Sequence, residues 1–193
     1  MRRLAKIVAL SVVIAALALA AMIHFSPYGR HEGFPYRLME HSVDIGVPAD
    51  SAFRFLGNSD QARRWSVFVH HITPLNADSV PDGALGSRRR CFCRADESGR
   101  RWDETIVVVE PGVKRQLTLY GFHGFPVTAR NLATEQLYKS LGPNRCRLTF
   151  TVFFMDSRPS AWEAMNMYLA SYRIKKIFRG NMDNIKRLLE AGK

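Results

Sequence analysis

Val43-Asp44-Ile45-Gly46-Val47-Pro48-Ala49-Asp50-Ser51-Ala52-Phe53-Arg54-Phe55-Leu56 is the stretch on which the fold turns. Extended back to Met39, its odd positions are Met39, His41, Val43, Ile45 and Val47, and its even ones Glu40, Ser42, Asp44 and Gly46. An apolar face recurring every second residue is the pattern of a half-buried strand. Pro48 stops the strand, because it has no N–H to give to a ladder. Ala52, Phe53, Phe55 and Leu56 then fall at helical spacing, so the period predicts a short helix from Ala49 to Leu56. Asn58 or Ser59 suits the cap of a second short helix that ends at Trp65.

Downstream the chain reads as successive strands. Val67–Leu75 and Leu85–Arg94 flank a turn at Pro81-Asp82-Gly83. Arg101–Glu110 follows the turn Ser98-Gly99, and Val113–Tyr120 follows Pro111-Gly112. Asn131–Lys139 precedes Gly142-Pro143-Asn144, and in Arg145–Met155 Cys146, Leu148, Phe150, Val152 and Phe154 alternate with Arg147, Thr149 and Thr151. Short connections favour antiparallel neighbours. After Pro159 the period becomes helical. Ser160 and Glu163 have the spacing of a capping box. An apolar stripe runs through Trp162, Met165, Leu169, Tyr172, Ile177, Met182, Ile185, Leu188 and Leu189, and Gly180 is a point where this helix could bend or split.

The implied architecture is α+β: a curved seven-stranded antiparallel sheet, two short helices after the first strand, and one long C-terminal helix. An antiparallel sheet of this size must cover one face. A single helix does not fill the concave side of so wide a sheet, which predicts a cavity between the two.

The N-terminal end has a different character. Met1-Arg2-Arg3-Leu4-Ala5-Lys6 is basic, and from Ile7 to Ile23 nothing is more polar than Ser11. With Leu4 and Ala5 counted, and with Lys6 reaching outward, this run just crosses a hydrocarbon core of about 30 Å. Its length past Ala20 favours an uncleaved signal anchor. Ala18-Leu19-Ala20 would serve as the cleavage site in the alternative, an exported protein. Either reading puts the C-terminal domain on the non-cytoplasmic side, periplasmic in a Gram-negative cell, because flanking bases stay inside. Residues 25–35 carry two prolines and two glycines and read as a linker. The expected organisation is an anchor over 1–24, a linker over 25–35 and a ligand-binding domain over 36–193.

Composition excludes several classes. The 193 residues have a mean hydropathy of -0.15, too polar for a polytopic membrane protein. Three cysteines are too few for a disulfide scaffold, although Cys146 could meet Cys91 or Cys93 across a sheet. The 28 Lys and Arg against 17 Asp and Glu give a net charge of +11. The bases are dispersed, as on a solvated face that also suits anionic headgroups, and no basic-aromatic motif points to nucleic acid. No metal-binding motif is present: His70 and His71, adjacent on a strand, would point to opposite faces.

The chain resembles the START-like (SRPBCC) helix-grip superfamily, and within it the polyketide cyclase/dehydrase and lipid-transport branch. The resemblance rests on Val43–Asp50 with Ala52-Phe53 and Phe55-Leu56, on Trp65, Gly83, Gly86, Glu104 and Glu110-Pro111, and on the closing Asn181-x-x-Asn184-Ile185-Lys186-Arg187-Leu188-Leu189-Glu190. It implies a pocket for a hydrophobic or lipid-like small molecule, with no cofactor. Phe150 and Phe154 on strands, and Trp162, Tyr168 and Tyr172 on the closing helix, are its expected lining, with Trp65 as packing. Glu104, between Trp102 and Ile106, is the candidate acid or base should the pocket catalyse a cyclase-, dehydratase- or hydrolase-type reaction. Arg88 or Arg90 is its expected partner otherwise. A third expectation is a structural module whose own side chains fill the cavity.

Overall fold

The computed structural model describes residues 2–31, 34, 36–125, 130–155 and 159–191. Glu32, Gly33 and Pro35 of the expected linker, and Arg158 ahead of the closing helix, lie outside the described residues. In chain order the elements are α1 (Arg2–His24), β1 (Met39–Ile45), α2 (Ala49–Gly57), a 3-10 turn (Ser59–Gln61), α3 (Ala62–Trp65), β2 (His71–Pro74), β3 (Arg88–Phe92), β4 (Arg101–Glu110), β5 (Lys114–His123), β6 (Leu132–Gly142), β7 (Arg145–Phe154) and α4 (Ala161–Glu190). The strands form one antiparallel sheet in the order β1-β7-β6-β5-β4-β3-β2. The chain therefore meanders from β2 to β7, and β1 closes the far edge.

The period-two alternation of β1 and β7 does what it predicts. Their register sets Ile45 opposite Cys146, Val43 opposite Leu148 and Met39 opposite Val152, all on the face turned to α4. β1, β2 and β3 are shorter than their sequence period, β2 most of all. β2 is confined to four residues because Ser66 and Asn181 hold the backbone at 67–69 in a loop. The Ser66 hydroxyl accepts from the N–H groups of Phe68 and Val69, and Asn181 Oδ1 accepts from Val67 N–H at 2.8 Å.

α4 is continuous through Gly180 and is not split there. The glycine serves close approach instead: a Cβ at this position would lie 3.1 Å from both methyls of Val67. The N-terminus of α4 carries the full capping box. Glu163 N–H donates to Ser160 Oγ at 3.2 Å, and Ser160 N–H donates to Glu163 Oε2 at 3.0 Å. The same Glu163 accepts from Arg130 N–H at 2.9 Å, which ties the start of β6 to the helix.

The main core lies under the C-terminal half of α4. Met182 and Ile185 pack on Ile45, Leu148, Phe150, Trp65 and the inner face of α2. Asn184 Nδ2 donates to Trp65 O at 3.2 Å, so Asn181 and Asn184 together clip the loop after α3 onto the closing helix. A second core joins Tyr28, Met39, Val152, Phe154 and Met167. Tyr28 falls within the segment that reads as a linker, yet it is fully buried and packs edge-on against Tyr168. Tyr28, the paired backbone hydrogen bonds between Gly29 and Leu38 and the Ser26–Ser171 hydroxyl contact together dock that segment on the domain. α1, exposed along its length, is long and apolar enough to cross a membrane.

Candidate functional site

Between the concave face of the sheet and the middle of α4 lies a cavity of about 450 Å³. Its floor comes from alternating positions of the central strands. Trp102, Glu104, Leu117, Leu119, Leu132, Thr134, Gln136, Phe150 and Val152 all line it. The register explains why these residues meet: Glu104 pairs with Leu119, Leu119 with Leu132, and Leu117 with Thr134. Its roof is the inner side of α4, from Met167 through Ile174 and Ile177 to Asn181. Ala62, Trp65 and the loop residue Phe68 close one side, and Phe122 and Phe125 at the end of β5 close another.

Of the residues that sequence reasoning assigned to the pocket, Phe150 and Glu104 line it and four do not. Phe154 and Tyr168 belong to the second core, against Tyr28. Trp162 and Tyr172 are exposed on the outer side of α4. The reason is helical phase. At about 100° per residue, a shift of a quarter-turn in how α4 sits on the sheet moves these two aromatics from roof to outer surface. Phe68, Phe122 and Phe125 were missed. They lie on or beside loops, where no periodicity marks an inward direction. Leu117 and Leu119 carried a readable signal, since they alternate within a strand.

The polar groups of the cavity are few and mostly committed. Glu104 is buried, and its partner is Arg89 rather than Arg88 or Arg90. Arg89 Nη2 and Nε donate to Glu104 Oε1 at 2.6 and 2.9 Å. Arg89 and Glu104 are register partners, so both project to the concave face, whereas Arg90 faces the other way and forms a two-point pair with Asp103. Asp82 stands 3.8 Å from Arg89 on its far side and accepts from Ser59 N–H at 2.6 Å and Ser59 Oγ at 2.8 Å. The ion pair is thereby tied to the 3-10 turn.

Behind Gln136, beneath α2, Arg115 is buried with no carboxylate partner among the described residues. Its guanidinium lies 4.1 Å from the Phe53 ring, and Nη1 donates to Gln136 Oε1 at 3.2 Å. Burial holds the Arg115 guanidinium below its ordinary value. Two indole N–H groups, those of Trp65 and Trp102, are buried without a hydrogen-bond partner, and both residues line the cavity. Each such orphan costs about 1–3 kcal/mol unless something accepts from it.

The remaining candidate chemistry is dispersed. His70 and His71 do not point apart: their Nδ1 atoms are 3.0 Å apart, because His70 precedes β2 and escapes strand alternation. His71 Nε2 meets Glu97 Oε1 at 3.2 Å. Among the described residues no three metal-binding side chains gather. Cys91 and Cys146 do not meet either, since β4, β5 and β6 separate their strands, and all three cysteines are free thiols.

With that geometry in place, the comparisons with known proteins are specific about family. The profile described as polyketide cyclase / dehydrase and lipid transport matches residues 37–190. The chain belongs to that family. Among solved structures, the ZhuI aromatase/cyclase from Streptomyces sp. R1128 is similar with a TM-score of 0.61 at 13% identity, covering 80% of this chain and 93% of that one. A START superfamily protein from Mycobacterium smegmatis gives 0.60 at 9% identity, covering 81% and 99%. The di-domain aromatase/cyclase BexL gives 0.61 at 12% identity over 80% of this chain, which spans only 46% of that longer one. At such identities these neighbours establish the fold, the curled sheet gripped by a terminal helix, and nothing finer. No curated protein matches significantly. Asn181 and Asn184 on the closing helix thus have a plain structural task here, as the clips described above.

Proposed function

We propose that this chain is a membrane-tethered binding protein for a hydrophobic or lipid-like small molecule, held between the concave sheet and α4. The observation that carries the reading is the hollow of about 450 Å³, which the protein's own side chains leave unfilled. A volume of this size is within the range of small-molecule sites, about 300–1,000 Å³. It also argues against a self-filled structural module. Binding is driven by burial of apolar ligand surface, at about 25 cal/mol per Å² before the cost of association is subtracted. The orphaned N–H groups of Trp65 and Trp102 favour a ligand that carries an acceptor, such as an ester or carbonyl oxygen, over a bare hydrocarbon. The tether is α1, as an uncleaved signal anchor with the domain on the non-cytoplasmic side.

Native mass spectrometry of the full chain after gentle extraction tests this reading. A co-purifying mass, lost in a cavity-filling Leu117→Trp variant that still folds, is the expected result. Bare protein from repeated extractions, with no uptake of added fatty-acyl ligands, overturns it.

A second reading is an enzyme of cyclase, dehydratase or hydrolase type in the same cavity, with Glu104 as acid or base. It is favoured by one observation, that Glu104 faces the hollow. The two hydrogen bonds from Arg89 to one carboxylate oxygen favour a fixed ion pair instead. Chemical conversion of the bound ligand, measured as a changed mass on incubation, would decide for the enzyme.

A further inference from the structure

Two of the aromatics that sequence reasoning put inside the pocket lie on the outer surface, in a regular row. Along α4, Trp162, Met165, Leu169 and Tyr172 are 66%, 39%, 52% and 44% exposed. Their spacing of three and four residues puts them on one face. The same spacing continues to Lys176 and Arg179, both exposed, so the stripe turns from apolar to basic toward the C-terminus. Scattered surface apolar residues need no explanation, but a contiguous row marks a contact face.

The occupant is indicated by what adjoins the row. Tyr172 Oη donates to Met22 O, in the last turn of α1, at 3.1 Å. Ser26 Oγ and Ser171 Oγ are 3.0 Å apart, and Tyr28 packs on Tyr168. The end of the candidate membrane span is therefore fixed against this stretch of α4. Trp and Tyr at the end of a span, with bases beyond them, are the side chains that settle at the level of lipid headgroups. The cavity adjoins on the other flank. Leu169 belongs both to the exposed row and to the cavity lining, and Arg173, one turn on and also exposed, lines the cavity as well. Across the mouth stands Arg100. The Arg100 and Arg173 guanidinium carbons lie 5.4 and 5.9 Å from the Phe68 ring, and neither has an acidic partner among the described residues.

We propose that the first half of α4 lies in the interface of the bilayer that holds α1, so that the cavity opens onto the membrane and takes up an amphiphile directly from it. This rests on α1 remaining attached and on the cavity being a ligand site. Leu169 and Arg173 form the threshold: the apolar chain passes Leu169, and an anionic head meets Arg173 and Arg100. Solvent exposure of the row is thus a property of the protein without its lipid. A second copy of the chain could cover the same row, but the hydrogen bond to Met22 puts the bilayer closer.

The test uses the full chain in vesicles of phosphatidylcholine with a minority of phosphatidylglycerol, part of the phosphatidylcholine brominated on its acyl chains. Tryptophan emission is compared between wild type and Trp162→Phe. The component lost in the variant is expected to fall about two-fold or more with brominated lipid and to be shielded from aqueous acrylamide, as for an interfacial indole. A Trp162 component that ignores brominated lipid and is freely quenched by acrylamide overturns the proposal. So does shielding that appears only with concentration-dependent self-association.

A second arm uses Trp162→Glu/Met165→Glu, both at exposed positions of the row outside the cavity lining, with the circular dichroism and melting of the wild type as a folding check. Uptake of a fluorescent fatty acid from vesicles is expected to slow about ten-fold, the scale on which removing an apolar contact face weakens membrane association. Uptake of the same probe delivered through water should be retained. Equal uptake from vesicles by wild type and variant overturns the proposal. If wild type binds the probe by neither route, the ligand-site reading has failed, while the bromine result still reports the membrane face.

Discussion

Arg89 Nη2 lies 2.6 Å from Glu104 Oε1, across β3 and β4 and deep in the wall of the cavity. Both side chains are almost wholly withdrawn from solvent. Desolvating two charges is expensive, and their attraction offsets the expense only while both are present. Glu104→Gln or Arg89→Gln alone is therefore expected to destabilise by about 3–5 kcal/mol, whereas Arg89→Met/Glu104→Leu together stays near wild type. Urea denaturation of the four proteins measures the difference. Additive losses in the double variant would remove the ion pair from the explanation.

Gly180→Ala sets two effects against each other. The helix gains up to about 1 kcal/mol from alanine's propensity. The new methyl presses on Val67, whose own methyls lie 3.1 Å from its position. Overpacking costs about 1–3 kcal/mol and wins, so the variant should be less stable. Adding Val67→Ala should recover most of the loss, a coupling that a double-mutant cycle detects.

Acid should loosen the start of α4 before the rest of the helix. The N–H of Arg130, and then the backbone and hydroxyl of Ser160, hold the Glu163 carboxyl below its ordinary value. A carboxyl whose folded value is lowered contributes stability that is fully present above its unfolded value and is lost as pH falls through the folded one. Glu163→Gln should therefore flatten that acid limb of stability. Ser160→Ala should cost about 1 kcal/mol at neutral pH. An acid limb unchanged in Glu163→Gln would exclude this group as its source.

The thiols report on closure of the cavity. Burial pushes the Cys91 thiol well up, and burial raises Cys93 and Cys146 as well. The thiolate is the reactive form, so alkylation of native protein should be slow at all three and slowest at Cys91. After denaturation without reductant, all three should react, because no pair of them is bridged. Recovery of only one reactive thiol would mean that a disulfide exists.

Much of the fold was legible because its signals are local and periodic. β1 and β7 alternate, so their inner faces were readable from single residues such as Ile45 and Leu148. Ser160 and Glu163 announced a helix start, since a capping box is satisfied within four residues. The site was legible only in part. Glu104 was found because it interrupts an apolar face, but its partner depended on which of three consecutive arginines shares that face, and the β3–β4 register chose Arg89. Phe68 and Phe125 lie in loops, which carry no period, and Phe122 near the end of β5 falls out of phase with Leu117 and Leu119 across Gly121, whose φ is 61°.

What the chain determined alone was the set of elements, the apolar run that can enter a bilayer, and the curved sheet that needs a helix to cover it. These follow from hydrophobic period and turn chemistry, which act over a few neighbouring residues. The tertiary structure alone decided the rotation of α4 about its own axis, which turned Ile174 and Ile177 to the hollow and left Trp162 and Tyr172 outside. That angle is set by how Met182 and Ile185 wedge among Ile45, Trp65 and Leu148, two of which, Ile45 and Trp65, lie more than a hundred positions earlier in the chain. No local pattern encodes it, because a helix with apolar residues on more than one side can be seated in more than one way.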